Sequence, residues 1–175
     1  MTNQSRLKTV ILNGLVAALY VVLSLFPGML GFASGAIQFR ISEGLNHLVV
    51  FNKKYLWGVF GGVLVFNFFF SSENKLLDTL FGGGQTLLAL LVLTLVMPYL
   101  KQTWQKMVAN ILLFTVSMCM IAWMIVLTGS TASTHIPFWP TYISLALSEA
   151  VIMVITAPVM YAVDKVVHFD AQMKS

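Results

Sequence analysis

Charge is scarce in this chain. Of 175 residues, 10 are basic and 6 acidic, so charged side chains make up 9% of the sequence, while 58% of the residues are hydrophobic. A soluble domain carries about 25% charged residues, and so few charges cannot cover a water-exposed surface of this size. The composition therefore argues against a soluble globular enzyme or a disordered chain and predicts an integral membrane protein. At about 20 residues per span, residues 1–175 form a single transmembrane domain with no separate soluble part.

Cysteine and catalytic motifs are also nearly absent. The single cysteine, Cys119, lies in an apolar run and forms neither an intrachain disulfide nor a cysteine metal cage. No HExxH, GxSxG or P-loop sequence occurs, and no histidine–cysteine cluster has metal-ligand spacing. The basic residues are scattered, with no stretch that follows a phosphate backbone. We therefore expect no enzyme activity, no cofactor, no metal and no nucleic acid.

The hydrophobic runs predict an all-α membrane protein. Most runs are long enough for transmembrane helices, but one is short and carries ionisable residues. When that short run is counted, six spans are expected, at about residues 9–26, 38–51, 55–70, 76–99, 107–127 and 141–163. The first run is long for a signal peptide and no small-x-small cleavage site closes it, so it is interpreted as a span.

The distribution of lysine and arginine predicts the orientation. With six spans and both termini in the cytoplasm, eight basic residues lie inside and two, Arg40 and Lys75, lie outside. With five spans, the better orientation gives seven against three but puts Arg6 and Lys8 outside. Because the first helix usually dominates orientation, we prefer six spans in a multi-pass protein of the bacterial cell membrane.

Ionisable side chains inside the spans are candidates for a binding site, because each costs about 2.5–3.5 kcal/mol to insert. Arg40, Glu43 and His47 occur at i, i+3 and i+7, on one helical face. The structural alternative is an internal ion pair between Arg40 and Glu43. We favour a pocket role for Glu43 and a hydrogen-bonded packing role for His47.

A second polar face lies in the fourth span, where Asp78, Gly82 and Gln85 occur at i, i+4 and i+7. Asp78 is equally suited to contact a ligand or to cap the helix N-terminus. Gly82 and the two glycines after it permit close helix packing or leave room for a flat ligand. Asn67, near the outer end of the third span, is interpreted either as an interhelical hydrogen-bonding residue or as a ligand contact.

The sharpest local signal is in the last span, where Trp139, Tyr142, Ala146, Glu149 and Met153 recur at steps of three and four residues. Glu149 lies nine residues beyond Pro140, about 13 Å into the helix. The alternatives are a structural hydrogen bond for Glu149 and an interfacial location for the two aromatic rings.

Three stretches resemble one known family. AALYVVLSLFPG at 17–28, AIQFRISEGLNHLVVF at 36–51 and LLDTLFGGGQTLLALL at 76–91 are similar to the QueT family. Its members are substrate-binding S components of energy-coupling factor (ECF) transporters, associated with queuosine precursors. IQFRISE is the most specific element, and the resemblance covers about residues 12–91, with a matching six-helix architecture beyond them.

The resemblance implies a mechanism. An S component binds its substrate in a pocket open to the outside, topples in the membrane and delivers the substrate inward. A separate transmembrane coupling protein and two cytosolic ATPase subunits supply the force. The resemblance also implies that Gly14 and Ala18, on the first helix, form the docking face for the coupling protein.

A 7-deazaguanine ligand suggests roles for the outer polar residues. Its ring N–H and exocyclic amine lie on one edge and can donate two hydrogen bonds to the same carboxylate. Glu149 is our first choice for this carboxylate, and Glu43 is the second. Asn67 or Gln85 would serve the ring carbonyl, and Trp139 or Tyr142 would stack on the ring.

The outer half of the protein contains three acids, Glu43, Asp78 and Glu149. If Arg40 neutralises one of them and another binds the edge of the ligand base, the third can pair with a cationic aminomethyl arm of the ligand. The competing functions are an S component for another vitamin or nucleobase, a stand-alone channel or secondary transporter, and an intramembrane enzyme.

Overall fold

The computed structural model describes residues 3–29, 40–70, 74–129 and 135–174, and these are helical apart from short connections. The elements are α1 (Asn3–Met29), a 3-10 helix (Ile41–His47) that continues into α2 (Leu48–Phe51), a 3-10 turn (Lys53–Tyr55), α3 (Leu56–Phe70), α4 (Lys75–Val96), a second turn (Met97–Tyr99), α5 (Thr103–Gly129), α6 (Phe138–Val167) and α7 (Phe169–Lys174). The predicted all-α class is confirmed.

Four helical segments are long and apolar enough to cross a membrane: Asn3–Phe26, Lys75–Tyr99, Thr103–Gly129 and Phe138–Val167. Their outward faces carry large apolar side chains, including Leu15, Leu95, Leu112 and Leu147, each at least 60% exposed. A soluble monomer rarely exposes so much contiguous apolar surface. The chain is therefore an all-helical membrane protein, as the composition predicted.

The predicted span at 38–51 takes an unusual form in the structure. Its described part is the 3-10 helix Ile41–His47 followed by one turn of α-helix, Leu48–Phe51; together we call them the 41–51 segment. Seven residues at about 2.0 Å and four at about 1.5 Å give a rise of about 20 Å. Every residue from 42 to 50 is buried, so neighbouring helices and not lipid surround this irregular backbone.

Helices α1 and α3 run parallel to each other. The Gly58 N–H donates to Asn13 Oδ1 at 2.9 Å, and further along both helices Gly62 lies against Tyr20. A Cβ on Gly62 would lie 2.6 Å from Tyr20 Cβ, so glycine is needed for this close approach. Gly58 and Gly62 are four residues apart, so they form a GxxxG packing face on α3.

The remaining long helices alternate in direction. Gly82 and Gly83 on α4 pack against Asn67 and Leu64 on α3, with α4 residue numbers rising as those of α3 fall. Trp123, in the last part of α5, meets Phe138 at the start of α6, with 6.4 Å between ring centroids. Each of these neighbouring pairs is therefore antiparallel.

The C-terminal helix folds back onto the connection between the 41–51 segment and α3. His168 has a left-handed backbone (φ 53°), which turns the chain sharply between α6 and α7. Asn52 Nδ2 donates to Asp170 Oδ1 at 2.8 Å, and Lys54 Nζ donates to the Met173 carbonyl at 2.6 Å. The beginning of α3 and the end of the chain thus lie together.

Candidate functional site

The centre of the candidate site is Glu43, which is 2% exposed. Tyr20 Oη donates to Glu43 Oε1 at 2.7 Å, and Asn46 Nδ2 donates to Oε2 at 2.7 Å. Arg40 Nε lies 3.4 Å from Oε1, so the ion pair considered from the sequence is present. Both carboxylate oxygens of Glu43 therefore have partners within the protein.

Helix α1 supplies two polar groups that the sequence analysis did not select. Besides Tyr20, Ser24 donates from its Oγ to Ser42 Oγ at 2.7 Å and lies one turn further along the same helix face. The available signal was the i, i+4 spacing of these two polar side chains within an aliphatic run. Helix α1 therefore has a second, inward face with polar side chains, besides the outward face predicted for docking.

Glu149 enters the same region from α6. Its side chain is 4% exposed, and none of the described residues forms a hydrogen bond with its Oε1. His47 Nε2 lies 3.0 Å from the Met153 carbonyl, and Glu43 and Glu149 each lie four residues before one of these two residues. Buried polar atoms normally have partners, so Glu149 is the acceptor in this region best suited to a ligand.

Asn67 and Gln85 make contacts between helices. Asn67 Nδ2 donates to the Asp78 carbonyl at 3.1 Å, and Gln85 Nε2 donates to Ser117 Oγ at 2.7 Å. These bonds tie α3 to α4 and α4 to α5, which is the interhelical role considered for Asn67. The half-buried Asp78 side chain lies in the first turn of α4.

The triplet of glycines in α4 serves packing at two positions. A Cβ on Gly82 would clash with the Asn67 amide, and one on Gly83 would lie 2.6 Å from Leu64 Cδ2. Gly84 differs, because a Cβ there would meet no atom of the described residues within 4 Å. Close packing thus accounts for Gly82 and Gly83, while Gly84 faces open space.

The aromatic residues at the start of α6 form a cluster. The Phe138 ring stacks on Tyr142 with 6.0 Å between centroids and an interplanar angle of 10°. Trp139 contacts both rings edge-on but is 67% exposed, whereas Tyr142 is half-buried. Tyr142 is therefore better placed than Trp139 to stack on a ligand, and Phe138 is an aromatic member that the sequence analysis missed.

His47 is a packing residue, as predicted. Its Nε2 lies 3.0 Å from the Met153 carbonyl, and Asn110 Nδ2 lies 3.3 Å from its Nδ1. These partners fit a neutral ring that donates from Nε2 and accepts at Nδ1. These two hydrogen bonds of His47 connect the 41–51 segment to α6 and α5, next to Asn46 and four residues after Glu43.

Gly14 and Ala18 lie on the outward face of α1. Both are exposed, and a Cβ on Gly14 would meet nothing within 4 Å. Val16 and Tyr20, on the opposite face, are buried in the bundle. The two small residues thus form a shallow strip on the surface of the protein. Within the described residues, no group of three or more His, Cys, Asp or Glu side chains could hold a metal ion.

Comparison with known proteins gives matches over most of the chain. The family model described as "QueT transporter" matches residues 10–165. The chain is 32% identical over 164 residues to the "Queuosine precursor transporter QueT" of Lactococcus lactis subsp. cremoris (strain MG1363), covering 90% of this chain and 92% of that protein. No solved structure matches the chain. The match extends over nearly the whole bundle, including every site residue described above, and the chain belongs to the QueT transporter family, so it is a transporter and not an enzyme.

Proposed function

We propose that this chain is the substrate-binding membrane subunit of an ECF-type importer, which captures a 7-deazaguanine queuosine precursor, or queuine, from outside the cell. The observation that carries the proposal is the pair of buried acids in one site. Glu43 is saturated by protein donors, whereas Glu149 Oε1 has none among the described residues. The name of the Lactococcus lactis relative supports the substrate class.

Six membrane crossings with both termini in the cytoplasm form part of the proposal. Because α1 and α3 are parallel, a chain that crosses in both helices must return between them. The 41–51 segment fits that return: Ser42 bonds Ser24, in the last two turns of α1, and Asn52, just after the segment, bonds Asp170 beyond α6. The excess of eight basic residues over two supports the cytoplasmic side for the termini.

Accessibility of single cysteines tests this topology. In a Cys119→Ser background, Lys53→Cys should react with a membrane-impermeant thiol reagent only after the cells are permeabilised. Lys75→Cys, expected outside, is the matched control and should react in intact cells. Labelling of position 53 in intact cells would contradict six crossings with this orientation.

The chemistry of the site supports a ligand that donates hydrogen bonds. The amidine edge of a 7-deazaguanine presents two N–H donors, which a carboxylate accepts together. Since Arg40 and Tyr20 already occupy Glu43, Glu149 is the acid we assign to this edge. Tyr142 is assigned to stack on the ring, and Asn67 or Gln85 to lie near its carbonyl.

Asp78, in the first turn of α4, is the third acid of this assignment. A cationic aminomethyl arm on the ligand would complement it. The proposal therefore favours the aminomethyl precursor or queuine over the neutral nitrile precursor. Calorimetry with the three compounds tests this order, and tightest binding to the nitrile compound would contradict it.

The energy source is assigned to other chains. No P-loop is present in the sequence, so ATP hydrolysis would be carried out by two cytosolic ATPases acting through a transmembrane coupling protein. The exposed strip of Gly14 and Ala18 on α1 is the proposed docking face, and toppling of the subunit would carry the substrate inward.

Uptake measurements test this division of labour. Cells that express this chain with the coupling protein and ATPases should accumulate labelled precursor, and cells that express it alone should not. Gly14→Leu should abolish uptake while the purified protein still binds the precursor. Uptake by the chain alone would instead favour a stand-alone transporter.

A further inference from the structure

A groove outside the binding site lies between the start of α5 and the end of α6. Its volume is about 330 Å³, and its lining is mainly apolar and aromatic: Gln102, Thr103, Trp104, Met107, Val108, Ile111, Ala157, Pro158 and Tyr161. This volume is near the lower limit of ligand pockets, which suits one flexible chain and not a bulky molecule. We propose that the groove binds an acyl chain of an anionic phospholipid from the cytoplasmic leaflet, with the lipid phosphate at Lys101 and Lys165.

The depth of the groove matches one leaflet. From Thr103 to Ile111 the chain rises through eight residues, or about 12 Å, along α5. Half of a hydrocarbon core of about 30 Å is about 15 Å. The groove thus begins at the membrane surface and ends before the midplane. That this surface is the cytoplasmic one rests on the topology proposed above.

Two cations lie at the surface end of the groove. Lys165 follows Ala157 and Tyr161 at intervals of four residues, so it continues the groove-lining face of α6, and its Nζ lies 5.0 Å from the centroid of the Tyr161 ring. Lys101 immediately precedes Gln102, and both lysines are exposed. Asp164 is the nearby acid, but its Oδ1 accepts from the Phe169 N–H at 3.0 Å and so caps α7.

The groove therefore has an apolar interior, an aromatic rim and a basic mouth, in that order toward the membrane surface. Trp104 and Tyr161 are 62% and 44% exposed, and rings of this type favour the headgroup region. Basic pockets between transmembrane helices on the cytoplasmic side are suited to anionic headgroups. A zwitterionic lipid would also fill the apolar part, but the positive choline group beside its phosphate would offset the attraction of the two lysines, so a net negative headgroup is favoured.

Native mass spectrometry of the full chain in detergent tests the proposal. Phosphatidylglycerol and phosphatidylcholine with the same acyl chains are compared as probes. The wild-type protein should retain phosphatidylglycerol preferentially. In the double variant Lys101→Gln/Lys165→Gln, the ratio of retained phosphatidylglycerol to retained phosphatidylcholine should fall at least about fivefold. Lys53→Gln is the matched control, because Lys53 is also exposed but lies on the 3-10 turn before α3 and is not part of the groove lining.

Ala157→Leu provides a second variant that fills the groove without changing charge. It should lower retention of both lipids, while precursor binding, measured by calorimetry, shows that the variant is folded. Equal retention of the two lipids by the wild-type protein, or the same loss in Lys53→Gln as in the double variant, would overturn the proposal. So would efficient cross-linking of Val108→Cys to the coupling protein in the assembled transporter, because that result would assign the groove to a protein partner.

Discussion

Glu149→Gln separates ligand binding from stability more sharply than other changes in the site. Glu149 is 4% exposed and none of the described residues bonds its Oε1, so the free protein carries the cost of burying this carboxyl. A neutral amide of nearly the same shape reduces that cost. We therefore expect the variant to unfold at the same temperature as the wild-type protein or a higher one.

Ligand binding should change in the opposite direction. The carboxylate accepts two hydrogen bonds from the proposed amidine edge, whereas the amide offers one acceptor and opposes the other ligand N–H with a donor. Loss of one hydrogen bond to a charged group costs about 1.5–3 kcal/mol, which corresponds to a Kd raised about 10- to 150-fold.

Calorimetry with the aminomethyl precursor, paired with thermal unfolding in the same detergent, measures both quantities. Ser148→Ala is the matched control, since Ser148 is the buried neighbour of Glu149 on α6 and has no assigned ligand contact. The control should bind the precursor as the wild-type protein does. The reasoning is refuted if Glu149→Gln binds with unchanged Kd, or if its main effect is a lower unfolding temperature.

Three further predictions concern the support of the site. Tyr20→Phe removes a donor to a buried carboxylate and should lower the free energy of unfolding by about 1.5–3 kcal/mol in denaturant titrations; an unchanged value would mean that the bond to Glu43 is not stabilising. Gly62→Ala places a Cβ 2.6 Å from Tyr20 Cβ and should cost about 1–3 kcal/mol. Gly14→Ala meets none of the described atoms within 4 Å and should leave the free energy of unfolding unchanged or raise it by up to about 1 kcal/mol, because alanine is the better helix former. Equal losses in the two variants would contradict the close packing of α1 on α3. Asn52→Ala loses the bond to Asp170 and should speed proteolysis of the C-terminal helix without changing precursor affinity; unchanged cleavage would show that this bond does not hold α7.

Several parts of the fold could be predicted from sequence because they depend on local composition. The long helices follow from apolar runs that must satisfy their backbone hydrogen bonds within the membrane. The pair of Arg40 and Glu43 follows from their three-residue spacing, which brings the two side chains together within one local segment. The GxxxG packing of Gly58 and Gly62 is likewise a property of one helix face.

Other parts depend on which helices become neighbours, and no local pattern carries that information. Tyr20 is 23 residues from Glu43 in sequence, and only the packing of α1 against the 41–51 segment makes it a donor to that carboxylate. The same holds for Gln85, whose partner Ser117 lies on another helix, and for Trp139, whose exposure separates it from Tyr142.

The sequence by itself determined the class of this protein. Charged residues make up only 9% of the 175 residues, so the apolar surface of the chain needs a membrane around it. Local spacing, in turn, indicated which acids are candidates for the site. Tertiary structure decided the different roles of Glu43 and Glu149. Hydrogen bonds from Tyr20 and Asn46 occupy both carboxylate oxygens of Glu43, whereas Glu149 Oε1 has no protein donor among the described residues. The physical reason lies in the range of each effect. Composition and periodicity indicate whether a helix face is surrounded by lipid, water or protein. A buried polar atom, however, needs a hydrogen-bond partner that only folding brings within about 3 Å.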